Sequence, residues 1–265
     1  MKRVIFVLFI FSLVNCSNDE SLNPINNEVV IDNYYFRYMQ YPQGVLNNSQ
    51  LDNLVNIIYD EQNRIIKRVG GLLYISPTSG FDYTFSKEIF DSISQNSNRI
   101  LIERKTTSLN YQIAKFKRTL FLNQQGKITS KIVETTFPTT QDTIDYQYNS
   151  IGKIMKTTSR NQFNPRESVF YYNSNGNLDS IVSLEYNRNQ LSKKTLEVFS
   201  NYDNSINLVK NLNIFEETFY RSLTENNYSE YEKKVFNSNN DLVSEEKKTW
   251  NFIYDDNGTI LFDVF

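Results

Sequence analysis

One seven-residue pattern recurs along this chain and restricts what it can fold into. It reads: an apolar or aromatic residue, Asn or Asp, two free positions, Gly or Asn, one free position, Ile or Leu. Tyr148-Asn149-Ser150-Ile151-Gly152-Lys153-Ile154 is a full copy, and others begin at Tyr59, Leu122, Tyr172, Phe236 and Tyr254. Degenerate copies begin at Tyr186-Asn187 and Tyr202-Asp203. Four of the eight glycines (Gly126, Gly152, Gly176, Gly258) fall at one motif position, which chance does not readily do with a scarce residue. An Asn or Asp opening a turn hydrogen-bonds the backbone two residues on. Gly or Asn three residues later accepts positive φ, as a type I turn followed by a bulge requires.

The flanks of the motif read as strands. Leu178, Val182, Leu184 and Tyr186 are expected on one face, with Ser180 interrupting the row. Tyr146 with Tyr148, and Trp250 with Phe252 and Tyr254, form further rows. Eighteen Tyr and 19 Phe suit a pleated surface. Pro138 and Pro165 fall between repeats, where a connection tolerates them. Copies about two dozen residues apart imply supersecondary units that need neighbours to bury a face. The expectation is an all-β chain: an antiparallel meander of repeated β-hairpins, roughly twelve to sixteen strands, forming an extended, solenoid-like or partly closed sheet. Residues 31–265 make the β-hairpin repeat domain, divergent over 31–115 and clearly repeated over 116–265.

The first 30 residues read as an address. Met1-Lys2-Arg3 is followed by an apolar run, Val4 to Val14, broken only by Ser12. That run is too short for a spanning helix, which needs about 20 residues, and fits a secretory signal. Leu13-Val14-Asn15-Cys16 resembles the lipobox of bacterial lipoproteins, with Asn15 where a small residue is usual. The resemblance implies cleavage after residue 15 and lipid on Cys16, the chain's one cysteine. Residues 16–30 then form a flexible tether. Its Asp19-Glu20 pair resembles an export tag for surface lipoproteins. The address implied is an outer membrane lipoprotein, at the cell surface or otherwise facing the periplasm.

The repeat itself resembles the tyrosine–aspartate (YD/RHS) repeats of large bacterial surface and toxin-delivery proteins. Tyr171-Tyr172 with Asn175-Gly176 is also similar to the core of MORN-type repeats. Both resemblances imply a β-repeat sheet. Neither supplies a catalytic residue. Lys127, Lys153, Asn177 and Thr259 stand where the YD pattern has a regular Arg.

Composition narrows the chemistry. There is no His, which removes the commonest general base and metal ligand. Without its first fifteen residues the chain holds 26 basic and 30 acidic side chains (28 less Lys2 and Arg3), with no basic stripe for nucleic acid. Asp255-Asp256-Asn257-Gly258 lacks the alternating ligands and distal Glu of a calcium loop. No cofactor, metal or catalytic residue is expected. Asp91-Ser92, Asp142-Thr143 and Asp179-Ser180, each followed by Ile, resemble a bacterial O-glycosylation motif and also read as ordinary strand.

The aromatic rows carry the candidate site. Tyr146, Tyr148, Phe170, Tyr172, Trp250, Phe252 and Tyr254 can form a platform that stacks on a glycan, or can be the packing that holds the repeats together. The functional expectation is a lipid-anchored envelope binding or scaffold protein, with a glycan or an envelope protein as partner. One alternative is an envelope or immunity-like protein with one specific protein partner. Another is a carboxylate-based glycan hydrolase using Asp142 and Asp145.

Overall fold

The computed structural model describes residues 30–39, 41, 53–74, 83–108, 116–136, 139–161 and 163–264. The leader, Cys16, nearly all of the tether and Pro138 lie outside these residues. The described chain is nearly all β: one antiparallel meander of 14 strands, each paired with its sequence neighbours. The strands are β1 (Asn33–Tyr35), β2 (Leu54–Tyr59), β3 (Ile65–Tyr74), β4 (Tyr83–Asn96), β5 (Arg99–Thr106), β6 (Phe116–Leu122) and β7 (Ile128–Thr136). They continue as β8 (Thr139–Tyr148), β9 (Ile154–Ser159), β10 (Arg166–Tyr172), β11 (Leu178–Asn187), β12 (Gln190–Tyr202), β13 (Tyr228–Asn237) and β14 (Leu242–Thr249). Short helices α1 (Phe36–Met39) and α2 (Glu216–Ser222) complete it, α2 within an insert between β12 and β13. Residues 33–106 supply β1 to β5 of the same sheet.

Each full motif copy is a tight turn, for the local reason read in the sequence. Asn123 N donates to Lys127 O (2.9 Å), Gly126 N donates to Asn123 O (3.0 Å), and Asn123 Oδ1 accepts from the amides of Gln125 and Lys127. The same backbone pair closes the turns opened by Asp60, Asn149, Asn173, Asn237 and Asp255. The fourth position is at positive φ in all six, from +57° at Asn63 to +82° at Gly152. The carboxylate of Asp255 is spent on the amides of Asn257 and Thr259. Tyr202-Asp203 does not make a hairpin; it opens the insert. Gly126 has open space around it, so Gly126→Ala isolates the backbone term and is expected to lower unfolding free energy by about 1–2 kcal/mol. Gly126→Asn is expected to cost less, since Asn63 and Asn240 hold the same position. Urea denaturation measures both, and equal losses would contradict this account.

The motif also ties some repeats to an earlier one. Tyr148 Oη donates to Ile128 O (2.7 Å), the last residue of the preceding copy, and Tyr202 Oη reaches Leu178 O in the same way. Lys127 lies 5.5 Å over the Tyr148 ring and Lys153 lies 5.2 Å over Tyr172. A bulge follows five of the turns and reverses strand parity. In β11, Tyr172 pairs with Leu178 but Tyr171 with Ser180. The inward row is therefore Leu178, Ile181 and Ser183, all buried, while Val182 and Leu184 are only partly covered. The expected row of Leu178, Val182, Leu184 and Tyr186 is corrected by that one extra residue. Trp250 and Phe252 lie outside the strands, and Tyr254 forms a single bridge with Ile260.

The sheet is open, since β1 and β14 each have one strand neighbour, yet it bends round the insert. Glu217 of α2 accepts from Tyr34 of β1 (2.9 Å) and pairs with Arg68 of β3. One turn on, Tyr220 donates to Glu197 of β12 (3.0 Å). On a flat sheet β3 and β12 are nine spacings apart, roughly 43 Å, and no single helical turn touches both. Phe219 meets Tyr146 of β8 and Phe170 of β10 from the same helix. The segments at the two ends of the sheet also meet: Tyr35 N donates to Phe262 O (2.7 Å) and Trp250 Nε1 donates to Arg37 O (2.9 Å). The insert thus fills the concave face with Val209, Leu212, Ile214 and Phe215, all buried. The convex face carries cross-strand ion pairs, Lys117–Glu134 (2.9 Å) and Lys156–Glu167 (2.7 Å) among them. Such mid-strand charges suit water rather than lipid. No helix among the described residues is long and apolar enough to cross a membrane.

Candidate functional site

A meander places the turns after β2, β4, β6, β8, β10 and β12 at one end of the sheet. The insert starts from that end and occupies the interior behind it. Between the insert and the opposite end lies a cavity of about 400 Å³, within the range of small-molecule sites. Its walls are inward side chains of β6 to β13; its floor is Asn213–Glu216 with Phe219 and Tyr220, and Tyr41 closes one side. Arg166, Glu185 and Lys193 sit at strand ends remote from the turns and form its rim.

The lining combines rings, hydroxyls and charges. Phe219 stands edge-on to Tyr146 (6.3 Å between centroids) and to Phe170 (6.5 Å). Ser168 and Ser183 share a hydrogen bond of 2.7 Å across β10 and β11. Glu197 accepts from Tyr231 (2.6 Å) and Tyr220 (3.0 Å), and burial together with this carboxylate raises both phenols above their ordinary values. Lys193 pairs with Glu185 at 2.8 Å and Lys131 with Glu216 at 3.8 Å. Burial lowers Lys131, with Glu216 opposing. Burial would raise Glu216, but Lys131, Arg118 and Arg104 outweigh it and hold it below its ordinary value. Its side chain lines the cavity and keeps 58% accessibility. Glu216 is thus an anion rather than a proton donor.

A buried ionic cluster stands behind the floor. Asp91, 1% exposed, meets Arg118 (2.9 Å), Arg104 (3.3 Å) and Arg68 (3.7 Å). Arg118 Nη1 also donates to Ile214 O (3.4 Å). The cluster positions the floor residues by tying the insert to β3, β4, β5 and β6.

The aromatic residues singled out in the sequence separate into groups. Tyr146 and Phe170 line the cavity. Tyr148 and Tyr172 are half-buried on the same concave face nearer the turns, packed against the core. Trp250 and Phe252 surround the buried Arg221 guanidinium, at 4.4 and 5.1 Å. Arg221 donates to Tyr38 O and Tyr228 O, and burial depresses it to about 10. Tyr254 is exposed and donates to Asp203 (3.1 Å). Cys16 lies outside the described residues. Asp142 and Asp145 do not form a carboxylate pair: three positions apart on β8, they face opposite sides, Asp142 accepting from Ser159 (2.7 Å) and Asp145 from Arg160 (2.5 Å). The described residues hold no cluster of three or more metal-ligating side chains. Sequence reasoning missed the insert. Its signal was available in Val209, Leu212, Phe215 and Phe219, spaced at helical intervals inside a strand-rich chain.

No family model matches the chain, and no curated protein matches it. Among solved structures it is similar to a porin-like protein from Bacteroides vulgatus, at 12% identity over 82% of this chain and 87% of that one, with a TM-score of 0.49. A porin-like protein from Bacteroides uniformis is similar at 12% identity over 78% and 79%, with a TM-score of 0.47.

Proposed function

We propose that this chain is a lipid-anchored, extracytoplasmic binding protein that takes a small glycan ligand into the cavity inside its bent sheet. The observation that carries the reading is the cavity itself. Rings, hydroxyls and ionised groups converge on space the core does not fill, as in a small-molecule site. Of the aromatic candidates, Tyr146 and Phe170 are the pair that faces this space. The lipobox at Cys16 supports the address, and the tether of residues 16–30 gives the domain reach from a membrane.

Thr157 lines the cavity beside Tyr146, its register partner on the adjacent strand, so Thr157→Trp is expected to fill it. The test is a thermal-shift screen of neutral and acidic mono- and disaccharides against the chain from residue 17 onward. A ligand at a hundred times its Kd adds about 2.7 kcal/mol of stability, a readily measured rise in Tm. At least one sugar is expected to raise the Tm of the wild type and leave Thr157→Trp unmoved. No response from any sugar, or equal responses from both proteins, would overturn the reading.

A further inference from the structure

Four cations line the cavity, and three have a carboxylate at hand. Lys131 has Glu216, Lys193 has Glu185, and Lys233 has Glu246 at 3.9 Å. The fourth, Arg166, has no carboxylate within 4 Å among the described residues. Glu185 faces it in strand register but is held by Lys193, and Glu197 is held by Tyr220 and Tyr231. With Glu246 beside Lys233, the four cations (Lys131, Arg166, Lys193, Lys233) meet four carboxylates (Glu185, Glu197, Glu216, Glu246), and Arg166 is distinguished by having no carboxylate partner of its own. Arg166 is exposed at the rim, and its charge acts on Lys131, Tyr146 and Tyr220 of the cavity lining. A guanidinium presents a planar fork matched to a carboxylate. Beside it the Ser168–Ser183 hydroxyl pair offers partners for ring hydroxyls, and Tyr146 and Phe170 offer ring faces and edges.

We infer that the ligand is an acidic sugar, a uronate whose carboxylate is clamped by Arg166 at the cavity rim while its ring lies among Tyr146, Phe170 and Phe219. This inference rests on the cavity reading above. It excludes neutral sugars as the preferred class, because they offer no carboxylate to the unpaired guanidinium.

The test is isothermal titration of the chain from residue 17 onward with D-galacturonate and D-glucuronate, and with galactose and glucose as neutral parents. At least one uronate is expected to bind about tenfold or more tightly than its parent, the difference a charged hydrogen-bonding pair supplies. Arg166→Gln is expected to remove that preference and Arg166→Lys to restore part of it. Among the described residues Arg166 makes no side-chain hydrogen bond or ion pair, so both variants should keep the wild-type Tm. A parent sugar bound as tightly as its uronate, or a preference that survives Arg166→Gln, overturns the acidic class and leaves the cavity reading intact. If no uronate binds, the inference also fails, and the Thr157→Trp screen decides the cavity reading separately.

Discussion

Replacing residues 204–226 with an Asn-Gly turn is expected to abolish cooperative folding, although all fourteen strands and every motif turn remain in the chain. The insert buries Val209, Leu212, Ile214 and Phe215, each at most 7% exposed. At about 1.5–3 kcal/mol for each such side chain, their burial contributes roughly 6–12 kcal/mol, comparable with the whole stability of a typical domain, about 5–15 kcal/mol. Removal also strips Arg68 of Glu217 and Glu197 of Tyr220. A bent sheet without its filling exposes a concave face that neither packs nor closes. Trp250 fluorescence and near-ultraviolet circular dichroism through a urea titration are the readouts. A single sharp transition near the wild-type midpoint would show that the insert is an appendage and not the core.

Asp91→Asn is expected to lower unfolding free energy by about 3–5 kcal/mol, the loss when one member of a buried ionic cluster is removed and its partners stay charged. Arg118, 2% exposed at the side chain, would be left with uncompensated charge, and Arg68, 3% exposed, would keep Glu217 alone. Burial alone would raise the Asp91 carboxyl, but Arg118, Arg104 and Arg68 outweigh it and hold it below its ordinary value. A carboxyl depressed in the folded state adds stability above its unfolded pKa, near 3.9, and loses it as pH falls through the folded value. The gap between wild type and variant is therefore expected to be full at pH 7 and to shrink below about pH 4. Urea midpoints across that range measure it, and a gap constant down to pH 2 would place the stabilisation elsewhere.

The hairpins were legible in the sequence because their chemistry is local. Asn149 needs only the amides of its own turn, and Gly152 only its own φ. Register parity was less legible, since the extra residue at Asp179 moves Ile181 inward and Val182 outward. Curvature was not legible at all. It depends on contacts such as Tyr34 with Glu217, 183 residues apart, and no pattern in either segment announces the other. For the same reason Arg68, Asp91 and Arg118 read as ordinary polar strand positions until the bend placed them inside. The cavity inherits this property: Lys131, Tyr146, Arg166 and Glu197 come from four different strands and share only the concave face.

That shared face depends on the sheet bending round the insert, and one distance tests it. Lys67 on β3 and Ser200 on β12 both point outward, and with Cys16 replaced by Ser they can carry the chain's two spin labels as cysteines. A flat meander separates these strands by roughly 43 Å. A sheet wrapped round one helix brings them to roughly 20–30 Å, a helix diameter plus the layer spacing and the labels. Double electron–electron resonance is expected to give a single narrow peak in the shorter range. A peak near or beyond 43 Å would mean that the face is flat, and the cavity and its ligand would go with it.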